Sequence, residues 1–536
     1  MNGRAARRTG AAVLIAVVGL WSLSAGLPAD AFFSGDPGLK LIAAMNAIAH
    51  PTRPFDIDLP RIGDKTVPWV DPMILVHEQH GHALQSPLFP VLSAPLIAAF
   101  GLRGAYVLPA LGFVLFLLFV EAMRRSLAPG TSFLILASIA IGANPLLFYS
   151  LEYWEHSLAI ALLAGSTAAA VTADRHTPRA GRLVISGALG GLSVLLRPEA
   201  IWYVAALAIF VSPRYWIAFG SGVALIIVPF SAANVIHFGN PAGPHATANL
   251  APLKVDFLSA RRERIDTWLS PQAFLAAAGL LLMALAWLTR AVVELRTRQV
   301  AALLGATAVA TAAALRMVPR ESIWQAFPLL LLALLPVTGS SDRLRRLYLL
   351  ALVSVCGVIL TATHDGGAQW GPRFLLVSVP PLIVLGAYGA TDAVGDGRWR
   401  ALRIALVGLI LVAGVATSRA AYRELRGAKR SYARAVMATA LMAPPGTHIV
   451  TNVWYLDQIA ATLHDSRFFF YVPDRDSAAR ALGELSRANV RQIVLVSGLG
   501  DSPAWLDPVA LDSCFKPVDV RDVTEHRLRM LSAECR

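Results

Sequence analysis

GAAVLIAVVGLWSLSAGLPADAFFSGDPGLK, residues 10–40, sets the frame for the whole chain. Gly10 to Pro28 carries no charged side chain. At about 1.5 Å per residue it is long enough to cross the hydrocarbon of a bilayer. Arg4, Arg7 and Arg8 precede it, so the N-terminus is expected in the cytoplasm and the segment beyond the span outside it. Ala29-Asp30-Ala31 also resembles a signal-peptide cleavage site, but either reading exports the next segment, and a retained span is expected. That segment, 29–87, is the longest polar passage in the first four hundred residues and holds Asp36, Asp56, Asp58, Asp64, Asp71, His77, Glu78, His80 and His82.

Composition agrees with a membrane setting. Of 536 residues, 56% are hydrophobic and only 15% charged, against about a quarter charged in soluble domains. The net charge of +13 could point to nucleic acid, but the placement of the arginines argues against it. They cluster in alternate inter-span segments, at Arg124-Arg125, Arg175 to Arg182, Arg290 to Arg298, Arg343 to Arg346 and Arg398 to Arg403. The short segments on the opposite side hold only Arg103, Arg197, Arg316, Arg320 and Arg373. This asymmetry orients membrane proteins, so the basicity is read as topology and no nucleic-acid partner is expected.

The run 183–211 is too long for one straight crossing and is split by Arg197-Pro198-Glu199, so two short segments are expected to meet there. Apolar runs near 105–123, 131–150, 157–173, 216–236, 273–289, 299–315, 323–338, 347–363, 374–391 and 403–418 read as further spans, about thirteen in all with the first span and that pair. Leu88 to Leu102, with Pro90 and Pro95, reads as an interfacial or re-entrant helix. A second exported loop, 237–272, carries His237, His245, Asp256 and Arg261-Arg262-Glu263-Arg264, a solvated or headgroup-facing surface.

Beyond Arg419 the composition turns soluble. Strands at 447–453, 467–472 and 492–497, with helices near 420–441, 455–463 and 476–488, imply a small parallel α/β domain outside the cytoplasm. The expected division is therefore a membrane domain, 1–418, carrying the exported loop 29–87, and an exported α/β domain, 419–536. Cys356 lies in an apolar run and reads as a packed side chain. Cys514 and Cys535 lie in the exported tail, where a disulfide persists, and are expected to be bonded.

Five groups of residues could carry chemistry. Asp36 precedes Pro37 at a helix start, where a carboxylate either caps free N–H groups or accepts a proton from a hydroxyl nucleophile. His77-Glu78-Gln79-His80-Gly81-His82 is not HExxH, because glycine stands where the second histidine would be, so Glu78 and His80 are read as polar contacts and a divalent metal is not favoured. Glu152 and Glu155, with His156, crowd a short exported turn whose Tyr153 and Trp154 could form an interfacial belt. Arg197 and Glu199 lie within apolar sequence and should pair or face a wet cavity. Arg373 closes the turn Thr363-His364-Asp365-Gly366-Gly367-Ala368-Gln369-Trp370-Gly371-Pro372-Arg373-Phe374, where it either snorkels or presents its fork to a phosphate.

In this order the motifs resemble the GT-C superfamily of integral-membrane glycosyltransferases, in particular bacterial mannosyltransferase-like members. Asp36 matches the acidic residue of their first exported loop, although many members have Asp-Glu where this chain has Asp36-Pro37. Glu152 and Glu155 match a second acidic motif; Arg197-Pro198-Glu199 and Trp370-Gly371-Pro372-Arg373-Phe374 resemble recurring phrases. The resemblance implies an inverting transfer of a monosaccharide, hexose or pentose, from a polyprenyl-phosphate donor to a glycan, lipid or protein acceptor of the cell envelope. The reaction would take place at the outer face of the inner membrane. Asp36 would be the catalytic base. Glu78, His80, Glu152, Glu155, His156, Arg197, Glu199 and Arg373 would contact substrate, the arginines taking the phosphate. No cofactor is expected. The rival from another class is a transporter of an envelope lipid or small solute, and a third reading is a non-catalytic envelope assembly factor. The transporter reading leaves the acid-rich first loop and the soluble tail without a role, and in the third the tail makes the functional contacts.

Overall fold

The computed structural model describes residues 3–142, 144–173, 180–244, 262, 266–267, 274–318, 320–337, 341–362, 369–499 and 514–533. Residues 363–368, and within loop 237–272 His245, Asp256, Arg261, Glu263 and Arg264, lie outside these. The chain divides into two compact units, one of Met1–Ser24, Leu108–Gly243 and Asn249–Glu424, the other of Ala25–Val107, Pro244–Ala248 and Leu425–Arg536. Loop 29–87 was expected to group with the membrane part. It clusters instead with the C-terminal tail.

The first unit is helical, and the chain is a multi-pass membrane protein. Among the described residues six helices are long and apolar enough to cross a bilayer: Arg7–Ala25, Leu88–Leu127, Pro213–Phe238, Asp342–Thr361, Arg373–Ala393 and Arg400–Met442. Shorter apolar helices include Phe133–Gly142, Ala180–Leu196 and Ala200–Phe210. The break at Arg197-Pro198-Glu199 falls where the sequence places it, between helices Ala180–Leu196 and Ala200–Leu207. Two expected spans are interrupted. The run 323–338 forms only Ile323–Ala326 and Leu330–Ala333, separated at Phe327-Pro328, where proline offers no N–H to continue a helix. The run 131–150 stops at Gly142 and resumes as Leu146–Ser150 behind Pro145. Conversely, the expected span 403–418 and helix 420–441 are one helix, Arg400–Met442, of 43 residues.

Close helix contacts rest on glycine. A Cβ on Gly187 would lie 2.0 Å from the Phe219 carbonyl oxygen, and one on Gly222 would lie 2.1 Å from that of Val184, so helices 180–196 and 216–238 meet backbone to backbone. Cys356, expected to be packed, is exposed on the Asp342–Thr361 helix.

The second unit holds the strands: β1 (Arg61–Ile62), β2 (Lys65–Thr66), β3 (Ile74–His77), β4 (His80–Ala83), β5 (His448–Thr451), β6 (Phe468–Tyr471), β7 (Gln492–Gly498), β8 (Phe515–Val523) and β9 (His526–Ala533). The last five form one sheet in the order β6-β5-β7-β9-β8. β6, β5 and β7 are the parallel strands expected from the sequence. β8 and β9 form an antiparallel hairpin that the sequence reading missed, because FKPVDVRDV alternates charges along a largely exposed edge. Loop 29–87 is built into this domain. Ile62 and Val67 share a core with Val450, Phe470, Ile493 and Leu495, and the Tyr471 N–H donates to the Trp69 carbonyl at 3.0 Å. Cys514 is disulfide-bonded, and its expected partner Cys535 lies outside the described residues.

Candidate active site

In the helical unit the turn after Leu146–Ser150 and the break at 197–199 bring distant charges together. Arg197 donates from Nη1 to Glu155 Oε1 at 3.1 Å and from Nε to Glu199 Oε1 at 2.8 Å, and Nη2 reaches the same Glu199 oxygen at 2.5 Å. The guanidinium and both carboxylates are largely withdrawn from solvent. A buried cation needs such partners, since leaving it alone would cost several kcal/mol, roughly 3–5. The Cζ atoms of Arg197 and Arg373 both lie 5.4 Å from the centre of the Phe374 ring, so two guanidiniums share one aromatic side chain. Arg373 is buried, which excludes the snorkelling reading.

Around this group pack aromatic residues, of which the sequence did not single out Tyr149. Tyr149 donates to the Trp370 carbonyl at 3.0 Å and stacks on His156 with ring centres 4.6 Å apart. Trp154 lies edge-on to His156 at 5.4 Å. Tyr153 and Trp154 are completely buried, so they form the wall of this cluster and not a lipid-facing belt. Glu152 accepts the N–H of Tyr153 at 3.0 Å and shapes the turn. Gly371, at φ 68°, lies where a Cβ would strike that of Ala326 at 2.1 Å, and this fixes Trp370 and Arg373 against the 320–326 segment.

In the other unit Asp36 lies in the first turn of the Gly35–Ala49 helix. Ser34, not Asp36, takes the N-cap position, and its side chain makes no capping bond. The Asp36 Oδ1 accepts from Gln85 Nε2 at 2.8 Å. The positive end of the helix favours a negative charge there. Asp71 and Asp457 are buried and each acts on the ionisation of the other, and the Gln458 amide donates to Asp71. Burial pushes both carboxyls above the usual aspartate range, that of Asp71 further under the influence of Asp36. No sequence pattern marks Asp457 or Gln458.

The HEQHGH motif is a tight hairpin. Glu78 and Gln79 have φ 47° and 68°, both left-handed, which makes the two-residue connection between β3 and β4. Glu78 is exposed at its tip. His80 and His82 share a strand face, and each places Nδ1 3.7 Å from an Asp56 oxygen. Arg53 reaches His80 at 3.3 Å and Asp58 at 3.4 Å, and His50 meets Asp58 at 2.9 Å. Among the described residues no three His, Cys, Asp or Glu side chains converge as a metal site.

The candidate residues thus fall into three groups. Glu155, Arg197, Glu199, Arg373 and His156, with Glu152 in the same turn, are brought together; Asp36 stands in a separate acidic setting; His80 belongs to the hairpin network, with Glu78 at its edge.

No protein-family model and no curated protein matches the chain. Solved structures do. ArnT from Cupriavidus metallidurans in the apo state is similar over 98% of both chains, with 12% identity and a TM-score of 0.56. The same protein bound to undecaprenyl phosphate is similar over 97% of both, with 12% identity and a TM-score of 0.52. The archaeal oligosaccharyltransferase AglB from Archaeoglobus fulgidus, in complex with an inhibitory peptide and a dolichol-phosphate, is similar over 91% of this chain and 69% of its own, with 16% identity and a TM-score of 0.47. The chain has the GT-C fold that the order of its motifs implied.

Proposed function

We propose that this protein is a GT-C glycosyltransferase that moves a monosaccharide from a polyprenyl-phosphate donor to an acceptor of the cell envelope, at the outer face of the inner membrane. The observation that supports it best is the buried Arg373, which shares the Phe374 ring with Arg197 in a chain folded like ArnT, a protein seen bound to undecaprenyl phosphate. The Arg197 charge is already answered by Glu155 and Glu199. Arg373 is the residue assigned to the donor phosphate, because its guanidinium fork matches a phosphate and it is held beside Arg197 at the Phe374 ring, and Arg197 the one that organises the two glutamates for the sugar.

Asp36 takes the proton of the acceptor hydroxyl as that oxygen attacks the anomeric carbon. The bond from that carbon to the phosphate oxygen breaks, the polyprenyl phosphate leaves from the opposite face, and configuration inverts. Fixed cations stabilise the growing phosphate charge more strongly in a dry site than in water. The reaction is written without a divalent metal.

The test is transfer from a polyprenyl-phosphate sugar by the purified protein. Asp36→Asn should lower turnover by about 10²–10⁴-fold, the range of general base catalysis, with donor affinity kept. Arg373→Met should weaken binding of undecaprenyl phosphate. Solute flux through the unmutated protein, with no transfer from any such donor, would overturn the proposal in favour of transport.

A further inference from the structure

Loop 29–87 also meets the C-terminal domain at the start of the Asp36 helix. A Cβ on Gly35 would sit 1.9 Å from Gln458 Oε1, and one on Gly38 would sit 1.6 Å from the Gln458 carbonyl oxygen. Only glycine allows the first turn of this helix to rest on helix Leu456–Ile459 at that distance. From the other side Gln458 holds Asp71, whose second oxygen accepts the Met73 N–H at 2.6 Å. Asp71 and Gln458 are each 1% exposed and Asp457 is 8% exposed. Two carboxyls buried on either side of Gln458 in such a place retain a proton, because two buried anions there would repel.

We propose that Asp71 and Asp457 share one proton and, through Gln458, form a clamp by which the C-terminal domain positions the Asp36 helix. The inference rests on the proposed role of Asp36 and gives the tail a part in the same reaction. Asp71, Asp457 and Gln458 are positioning residues, since they act on the base through its helix. The ionisable groups facing the pair are Asp36 on the helix and Tyr471 on β6. Asp36 opposes further negative charge and so helps retain the shared proton, whereas Tyr471, raised by burial and by Asp71, stays a neutral phenol. Raising the pH removes that proton, the carboxylates repel, and the first turn of the helix loosens.

The experiment is amide hydrogen exchange of residues 35–49 in the full-length protein in detergent, across pH and corrected for intrinsic rates, beside transfer assays. In the unmutated protein, protection of the first turn should fall about tenfold on the alkaline side. Asp457→Asn donates to Asp71 without titrating, so protection should persist there, and the alkaline limb of kcat should move outward with KM unchanged. Gln458→Ala should lower protection at every pH, and a folded Gly38→Ala should do the same. Equal pH dependence in the unmutated protein and Asp457→Asn overturns the clamp, as does unchanged protection in Gln458→Ala. If exchange shows the expected pattern while no donor supports transfer, the clamp stands and the enzymatic reading falls.

Discussion

Arg197 shows how far a single residue can be read from sequence. Its position beside Pro198 and Glu199 predicted both the helix break and a partner, and both are present. The second partner, Glu155, is 42 positions away, and only folding brings it within 3.1 Å. Arg197→Met strands two buried carboxylates and should destabilise the protein by about 3–5 kcal/mol, measured by denaturant unfolding in detergent. A loss below about 1 kcal/mol would mean that the glutamates are solvated in the folded protein.

The unit that holds loop 29–87 and the tail should respond to pH. Burial pulls His464, His448, His526 and His82 below the ordinary imidazole value of 6.5. The unfolded chain therefore binds more protons than the folded one once the pH drops below that value. The stability these residues contribute is present above it and lost as the pH falls through their lower folded values. The Asp71–Asp457 pair has the opposite sign, because a carboxyl raised in the folded state costs stability as the pH rises. Thermal unfolding of this unit should therefore occur at lower temperature on acidification from neutral pH, and replacing His464 by Leu should flatten that slope.

Among the elements, the helices were easier to find than their ends. Apolar length marks a span, but a break depends on what the freed backbone can bond to. Pro328 interrupts 323–338, whereas Arg400–Met442 continues where the sequence turns polar, since nothing in it removes a helical hydrogen bond. Packing between helices was less legible still, because glycine in a span says nothing of which neighbour it admits. Gly222→Val should cost about 1–3 kcal/mol by driving helices 180–196 and 216–238 apart. Gly220→Val, on the same helix with nothing within 4 Å of its added Cβ, should be close to neutral. Thermal denaturation of the two variants in one detergent decides between them. Equal losses would refute the contact.

For the whole molecule, the sequence separated loop and tail by more than three hundred residues, and the fold joins them. Ile62 and Val67 belong to the core of the tail's sheet, and Trp69 meets Phe470 edge-on with ring centres 6.3 Å apart. Truncation after Met442 should therefore expose the exported loop. Limited proteolysis should cut within 50–70 in the truncated protein and spare it in the intact one. Resistance in both would show that the loop folds without the tail.

Some of this protein was settled by composition and order alone. Long apolar runs, arginines on alternate segments and three β-branched or aromatic strands specify a multi-span membrane protein with an α/β tail, because hydrophobic transfer and backbone pairing act on local sequence. Pairings between distant residues were decided only in three dimensions. Glu155 with Arg197, Tyr149 with Trp370, and Asp71 with Asp457 and Gln458 depend on burial, which gives charge and hydrogen bonding their strength and which no linear pattern records.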